Sequence, residues 1–349
     1  MATADHRLPY TETLAQRWPL LIPLAMANAY PYLLQGFHRA IVASGESPSV
    51  LNSLLAALCL LGAIATPLIG LACAKRMSRN VSPVPFELRA RRLAYLSMAA
   101  PPLFVLTGVG LGLLHIPLSD KLVWVLAWSA IGVYVCSAGD KTTAVAAAPA
   151  GPTTQWRVAH GICGALITCF VLFHLSNHLL GWLGPDVHAA VMAKGRSVYR
   201  ASMIEPVLIG LLLFQVFSGA RLAWRASAGS ADVYRVVQIG SGLYLAAFVL
   251  THLNSALVSA RAVRHIETDW AWASGAPEGL LLDAWNIRLL PHYAFGVFFI
   301  LTHLCCGLRQ VALAHGVGAA RANRIWVAGL FVSALISAAI MAGLCGARL

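Results

Sequence analysis

Twelve histidines occur in this chain, and four of them, His174, His178, His252 and His303, lie well inside long apolar runs. Ionisable side chains in such runs are costly to bury and usually mark function. One chemistry open to them is axial ligation of a haem iron. That needs two imidazoles from facing helices, at similar depth, with room for a flat ring between them. The plainer use of a single buried histidine is a hydrogen bond to a neighbouring helix.

Spacing favours ligation for one pair. The run Gly164-Ala-Leu-Ile-Thr-Cys-Phe-Val-Leu-Phe-His174 and the run Gly242-Leu-Tyr-Leu-Ala-Ala-Phe-Val-Leu-Thr-His252 each place a glycine ten residues before the histidine. His174 lies 14 residues past His160 and His252 lies 15 past Val237. At about 1.5 Å per helical residue, both sit roughly 21–22 Å along helices that run the same way. That is the outer part of a hydrocarbon layer about 30 Å thick. The depths match, so His174 and His252 are predicted to hold one haem b. His178, one turn beyond His174, is the rival ligand on the same face. His303 lies on a helix running the other way, 11 residues after His292, and its depth is nearer the middle. The residue at that level on the neighbouring helix is Gln215, a poor iron ligand. Gln215 and His303 are expected to form a hydrogen-bonded pair, leaving a second site half dismantled.

The elements that must position these residues are transmembrane helices. Hydrophobic residues make up 59% of the 349 and charged residues 11%, against about 25% charged in soluble domains; mean hydropathy is +0.72. The expected fold is all-α, a polytopic bundle of about nine helices. The expected helices are Trp18–Val42, Leu51–Ala74, Leu93–His115, Lys121–Ala138, Arg157–Leu183, Glu205–Trp224, Val236–Val263, Leu290–Ala314 and Ile325–Leu344. Pro67, Pro101 and Pro102 should kink their helices. His38 and His115 fall near helix ends and read as interfacial. A small, polar connector suggests two parts, residues 1–150 as a four-helix module and 151–349 as a five-helix module. The net charge of +12 sits in short loops, where Lys and Arg set topology, so nucleic acid is excluded as a partner and the lipid bilayer takes its place. The loop from Lys75 to Arg92 carries six basic residues and one acid, which puts it and the N-terminus inside a cell's inner (cytoplasmic) membrane. The loop bearing Lys194, Arg196 and Arg200 disagrees. The N-terminus lacks a cleaved leader's plan, so the first helix should be retained. The eight cysteines show no CxxC pair and read as small apolar residues.

Several segments of the second module resemble the single-chain, five-helix membrane cytochrome b subunit of succinate dehydrogenases and fumarate reductases. They are Arg157-Val-Ala-His160-Gly-Ile-Cys-Gly164, Phe173-His174-Leu-Ser-Asn-His178, Tyr199-Arg200, Phe214-Gln215-Val-Phe-Ser-Gly219, Gln238-Ile-Gly-Ser-Gly242, Thr251-His252 and His303-Leu-Cys-Cys-Gly307-Leu-Arg309. The resemblance covers about residues 153–344, and its specificity lies in order and spacing. It implies His174 with His252 at an outer haem, with Gly164 and Gly242 beside the ring. It implies His303 as a fourth-helix ligand whose partner position is Gln215, hence one haem. It implies quinone as the redox partner, Glu205 as a quinol proton acceptor, and Lys194 and Arg200 as partners for haem propionates. The dehydrogenase chemistry would belong to separate flavoprotein and iron–sulfur subunits, because this chain has no fingerprint for either cofactor. At most, the chain is the membrane subunit of such an enzyme. The alternative is a haem-free anchor or scaffold that kept the bundle. Residues 1–150 resemble nothing known.

Overall fold

The structure is a computed structural model that describes residues 18–46, 49–138 and 153–349. Among these residues there is no strand. Thirteen α-helices form: α1 Ile22–Glu46, α2 Val50–Met77, α3 Pro85–Ser97, α4 Ala100–Leu113, α5 Asp120–Cys136, α6 Thr153–Leu180, α7 Pro185–Tyr199, α8 Ile204–Ala226, α9 Val233–Leu253, α10 Trp270–Ser274, α11 Gly279–Leu282, α12 Leu289–Ala314 and α13 Ala319–Leu344. A π-helical stretch, Asn254–Val263, continues α9.

Six described helices, α2, α6, α8, α9, α12 and α13, are long and apolar enough to cross a membrane, and a seventh span exists if the bent pair α3–α4 counts as one. The chain is therefore an all-α polytopic membrane protein. Two further expected spans, α5 and α1, are not among these candidates. α5 has 17 residues, the lower end of the length that spans a bilayer. α1 has 25 residues but is interrupted by Asn28, Gln35, His38 and Arg39. The third expected helix is also not continuous. α3 and α4 meet at a 70° bend. Pro101 and Pro102 cause it, because proline has no N–H to give and its ring clashes with the carbonyl four residues back. They sit instead in the first turn of α4, where the missing N–H costs nothing.

Apolar side chains line the outside of the spans, as lipid contact requires: Leu51, Leu54, Leu58 and Leu61 on α2, and Val158, Ile162 and Leu166 on α6, are all exposed. Small residues face inward on α2, where Ala56, Ala63, Gly70 and Ala74 are buried and let α1 and α3 pack closely. The core runs from the first helices into the last. Tyr30, Phe104, Trp124 and Trp128 share one cluster with Tyr244, Phe295 and Phe299. α9 packs on α2, α3 and α4 as well as on α8 and α12. The proposed boundary between residues 1–150 and 151–349, with Lys141, lies outside the described residues.

Two longer helices, α3 and α7, and the short α10 and α11 form where loops were expected. α3 starts at Pro85, and Glu87 accepts hydrogen bonds from the Val84 backbone N–H (3.1 Å) and Asn80 Nδ2 (2.7 Å), closing the helix start. α7 also opens on a proline, with Asp186 in its first turn and Arg196 in its last, the charge order a helix dipole favours.

Candidate functional site

His174 comes from α6 and His252 from α9. Each ring stacks on a phenylalanine one turn earlier: Phe170 with His174 at 5.6 Å between centroids, and Phe248 with His252 at 5.7 Å. The shared local run is Phe-Val-Leu-x-His, which places both rings one turn below a flat apolar neighbour. The two imidazoles then face each other with centroids 6.0 Å apart and planes at 72°. Two imidazoles on opposite sides of one metal, each with a metal–nitrogen bond of about 2.0–2.1 Å, have ring centres roughly 6 Å apart. The observed separation fits that arrangement. Among the described residues neither ring has a hydrogen-bonding partner.

α9 is held at this level by the first half of the chain. Thr251 Oγ1 donates to the Pro102 carbonyl (3.0 Å) and Tyr244 OH donates to the His292 carbonyl (3.0 Å). The same hydroxyl lies 2.8 Å from the Ala247 carbonyl of its own helix, so Thr251 is shared between α9 and the first turn of α4. Beside His252 lies a cavity of about 420 Å³, bounded by α4 at Gly108 and also by Ser255, Arg264, His292 and Tyr293. His292 is buried, and its Nδ1 has no partner among the described residues.

His178 stands edge-on to His174 at 4.8 Å and faces His188 at 5.5 Å. His188, on α7, packs against Trp270 at 4.9 Å. Burial pushes its pKa below the usual imidazole value, Arg196 adds to the effect, and Asp269 partly opposes it.

His303 does not meet Gln215, so the expected hydrogen-bonded pair is corrected. Gln215 Nε2 donates to the His160 carbonyl (2.8 Å) and fills the space left by Gly164, where an added methyl would lie 3.0 Å from that nitrogen. His303 faces His160 instead, with centroids 6.3 Å apart and planes at 86°. His160 Nδ1 is 2.8 Å from Ser218 Oγ, and His303 Nδ1 is 3.0 Å from Ser241 Oγ. Gly242 adjoins His303, not an open ring space: a methyl there would lie 3.0 Å from His303 Cε1.

Glu205 pairs with Arg261 through two contacts, 2.5 and 3.3 Å, not with Arg200 or Lys194. Arg200 donates to Thr268 Oγ1 (3.0 Å), while Lys194 is exposed on α7. Arg196 bridges to Glu267 (2.9 Å). Arg309 lies over the Tyr234 ring at 3.7 Å and donates to Asn323. Arg221 lies over Trp156.

Sequence reasoning missed His160, because it placed the membrane start there. α6 begins seven residues earlier, at Thr153, so His160 lies inside the span. The signal was present: 14 residues are about 3.9 turns, which brings His160 and His174 to within about 40° of one face. His188 was also missed, since it sits in a segment read as a loop, and Arg261 was missed at the end of the expected helix Val236–Val263. No group of three or more metal-ligating side chains occurs among the described residues. Comparison with protein-family models, with curated proteins and with solved structures found no match.

Proposed function

We propose that this chain is a membrane cytochrome-b-like subunit. It exchanges electrons between quinone and a partner dehydrogenase or reductase carrying flavin and iron–sulfur centres. The observation that carries the reading is the pair of imidazoles from α6 and α9 with centroids 6.0 Å apart. His174 and His252 would hold a haem b, which when bound supplies one-electron chemistry. Phe170 and Phe248 fix the ring planes, and Thr251 ties α9 to the Pro102 carbonyl. Rigid support of this kind sets ligand geometry before the cofactor arrives. Arg200, which caps the end of α7, and Lys194, within the same helix, suit carboxylate groups at the haem edge.

The cavity beside His252 supports the quinone part. Its volume is within the range of small-molecule sites, and His292 offers an unused ring nitrogen at its wall. Glu205 is engaged by Arg261, so proton exchange at that carboxylate requires Arg261 to release it. The basic loop between α2 and α3 favours an inner (cytoplasmic) membrane with the N-terminus inside.

A reduced-minus-oxidised spectrum of the purified protein tests the reading. A sharp b-type band is expected, and His252→Ala removes the haem bound there while His178→Ala retains it. A flat spectrum from the wild-type chain overturns the proposal and leaves a haem-free membrane scaffold.

A further inference from the structure

We propose that the cavity bounded by α1, α4, α5 and the segment before α12 binds a phosphate monoester through Arg39, Lys121 and Arg288. The inference goes beyond the haem reading and uses none of its ligands, so either can fail alone.

The cavity has a volume of about 500 Å³, inside the range of small-molecule sites. Its charged lining is uneven. Arg39 comes from α1, Lys121 from α5 and Arg288 from just before α12, and they meet one carboxylate, Asp120. Arg288 is held in place on every side. Its side chain is 8% exposed. Nη1 donates to Asp120 Oδ2 (2.7 Å) and Nε donates to the Trp285 carbonyl (3.0 Å). Its Cζ lies 4.6 Å from the centre of the Phe104 ring and 5.0 Å from that of Trp285, a cation–π arrangement with both. Gly108 makes room for the ion pair, since a methyl there would lie 2.5 Å from Arg288 Nη1. Nη2 donates to nothing among the described residues. A nearly buried guanidinium that lines the cavity therefore keeps donors unused.

An ion pair that only tied α5 to the chain before α12 would be complete with Asp120 and Arg288. It does not account for two more cations at the same cavity. Arg39 and Lys121 have no hydrogen bond or ion pair among the described residues. Like charges around one poorly solvated space repel, and an anion among them removes the repulsion and takes up the free donors. Three cations against one carboxylate leave an excess that matches a phosphate monoester, which carries about −1.5 to −2 at pH 7. Its oxygens can meet a guanidinium fork and an ammonium together. Pro31, Leu34 and Ile287 are buried, apolar parts of the wall and suit the organic portion. Arg39 and Trp285 are exposed, so the cavity is reachable from outside the fold. Trp285 is also the residue type that sits at a membrane–water interface. The monoester can therefore come from a lipid headgroup or from solution.

The test is thermal unfolding of the purified, delipidated full-length chain in a neutral detergent. One arm adds phosphatidic acid in mixed micelles, and the other adds glycerol 3-phosphate. Phosphatidylcholine and sodium chloride at matched ionic strength are the controls. A saturable rise in Tm is expected in at least one phosphate arm and in neither control. A response to phosphatidic acid alone identifies a lipid headgroup, and a response to glycerol 3-phosphate identifies a soluble ester. Arg39→Gln and Lys121→Gln should each weaken the apparent affinity about tenfold, the loss of one charge-assisted hydrogen bond. Neither side chain has a partner to lose, so without phosphate both variants should melt at or slightly above the wild-type temperature, which keeps folding out of the comparison. No saturable rise in either phosphate arm overturns the inference. So does a double variant, Arg39→Gln with Lys121→Gln, that titrates like the wild type.

Discussion

Replacing Arg91 by methionine should loosen the first half of the chain from the second. Arg91 is fully buried in α3. Its guanidinium donates to four backbone carbonyls: Met77 (2.7 Å) and Asn80 (2.9 Å) after α2, and Gly229 (2.8 Å) and Ser227 (3.2 Å) after α8. One side chain thus joins two turns far apart in sequence. A hydrogen bond with a charged partner contributes about 1.5–3 kcal/mol, so four give an upper total of roughly 6–12 kcal/mol. Removing a buried cation also relieves its desolvation, and the measured cost of breaking such an arrangement is about 3–5 kcal/mol. For a chain of this size, each kcal/mol lowers Tm by about 2 °C, so Arg91→Met should melt roughly 6–10 °C below wild type. Arg91→Lys keeps the charge but concentrates three donors on one nitrogen, and should fall in between. Thermal unfolding in detergent, followed by tryptophan fluorescence, measures both. A methionine variant within about 2 °C of wild type would refute the bridging role.

Two further perturbations follow from the site. His188 has a pKa below that of a free imidazole, so below about pH 6.5 the unfolded chain binds protons that the folded chain refuses. Its contribution to stability is complete above that pH and fades as the pH falls toward the folded value. Tm should drop on acidification, and less steeply in His188→Phe; parallel slopes for the two proteins would exclude His188 as a source. Gly242→Ala places a methyl 3.0 Å from His303 Cε1, so it should disturb the His160–His303 contact and spare the His174–His252 site. Redox titration of the haem should superimpose on the wild type while Tm falls, and a shifted midpoint potential would contradict the packing.

The sequence by itself determined the solvent, the secondary structure and most of the spans. Apolar runs of the length seen in α2, α6, α8, α9, α12 and α13 leave the backbone only helices in lipid. The matching runs ending in His174 and His252 pointed to helices whose rings the fold brings to one level. What sequence reasoning could not fix was where each helix begins and which helices are neighbours. Pro101 and Pro102 signalled a kink, but packing decided that the chain would turn by 70° and that Thr251 would reach the Pro102 carbonyl. Helix periodicity tells which face a residue occupies and not which helix lies opposite it. Gln215 and His303 were matched by counting from assumed membrane edges, and taking His160 as the edge of α6, seven residues after its start at Thr153, hid that histidine. Only the packing of α6, α8, α9 and α12 put His303 against His160, gave Gln215 to a backbone carbonyl, and set a serine behind each ring, because side-chain partners depend on distances between helices that no one-dimensional spacing contains.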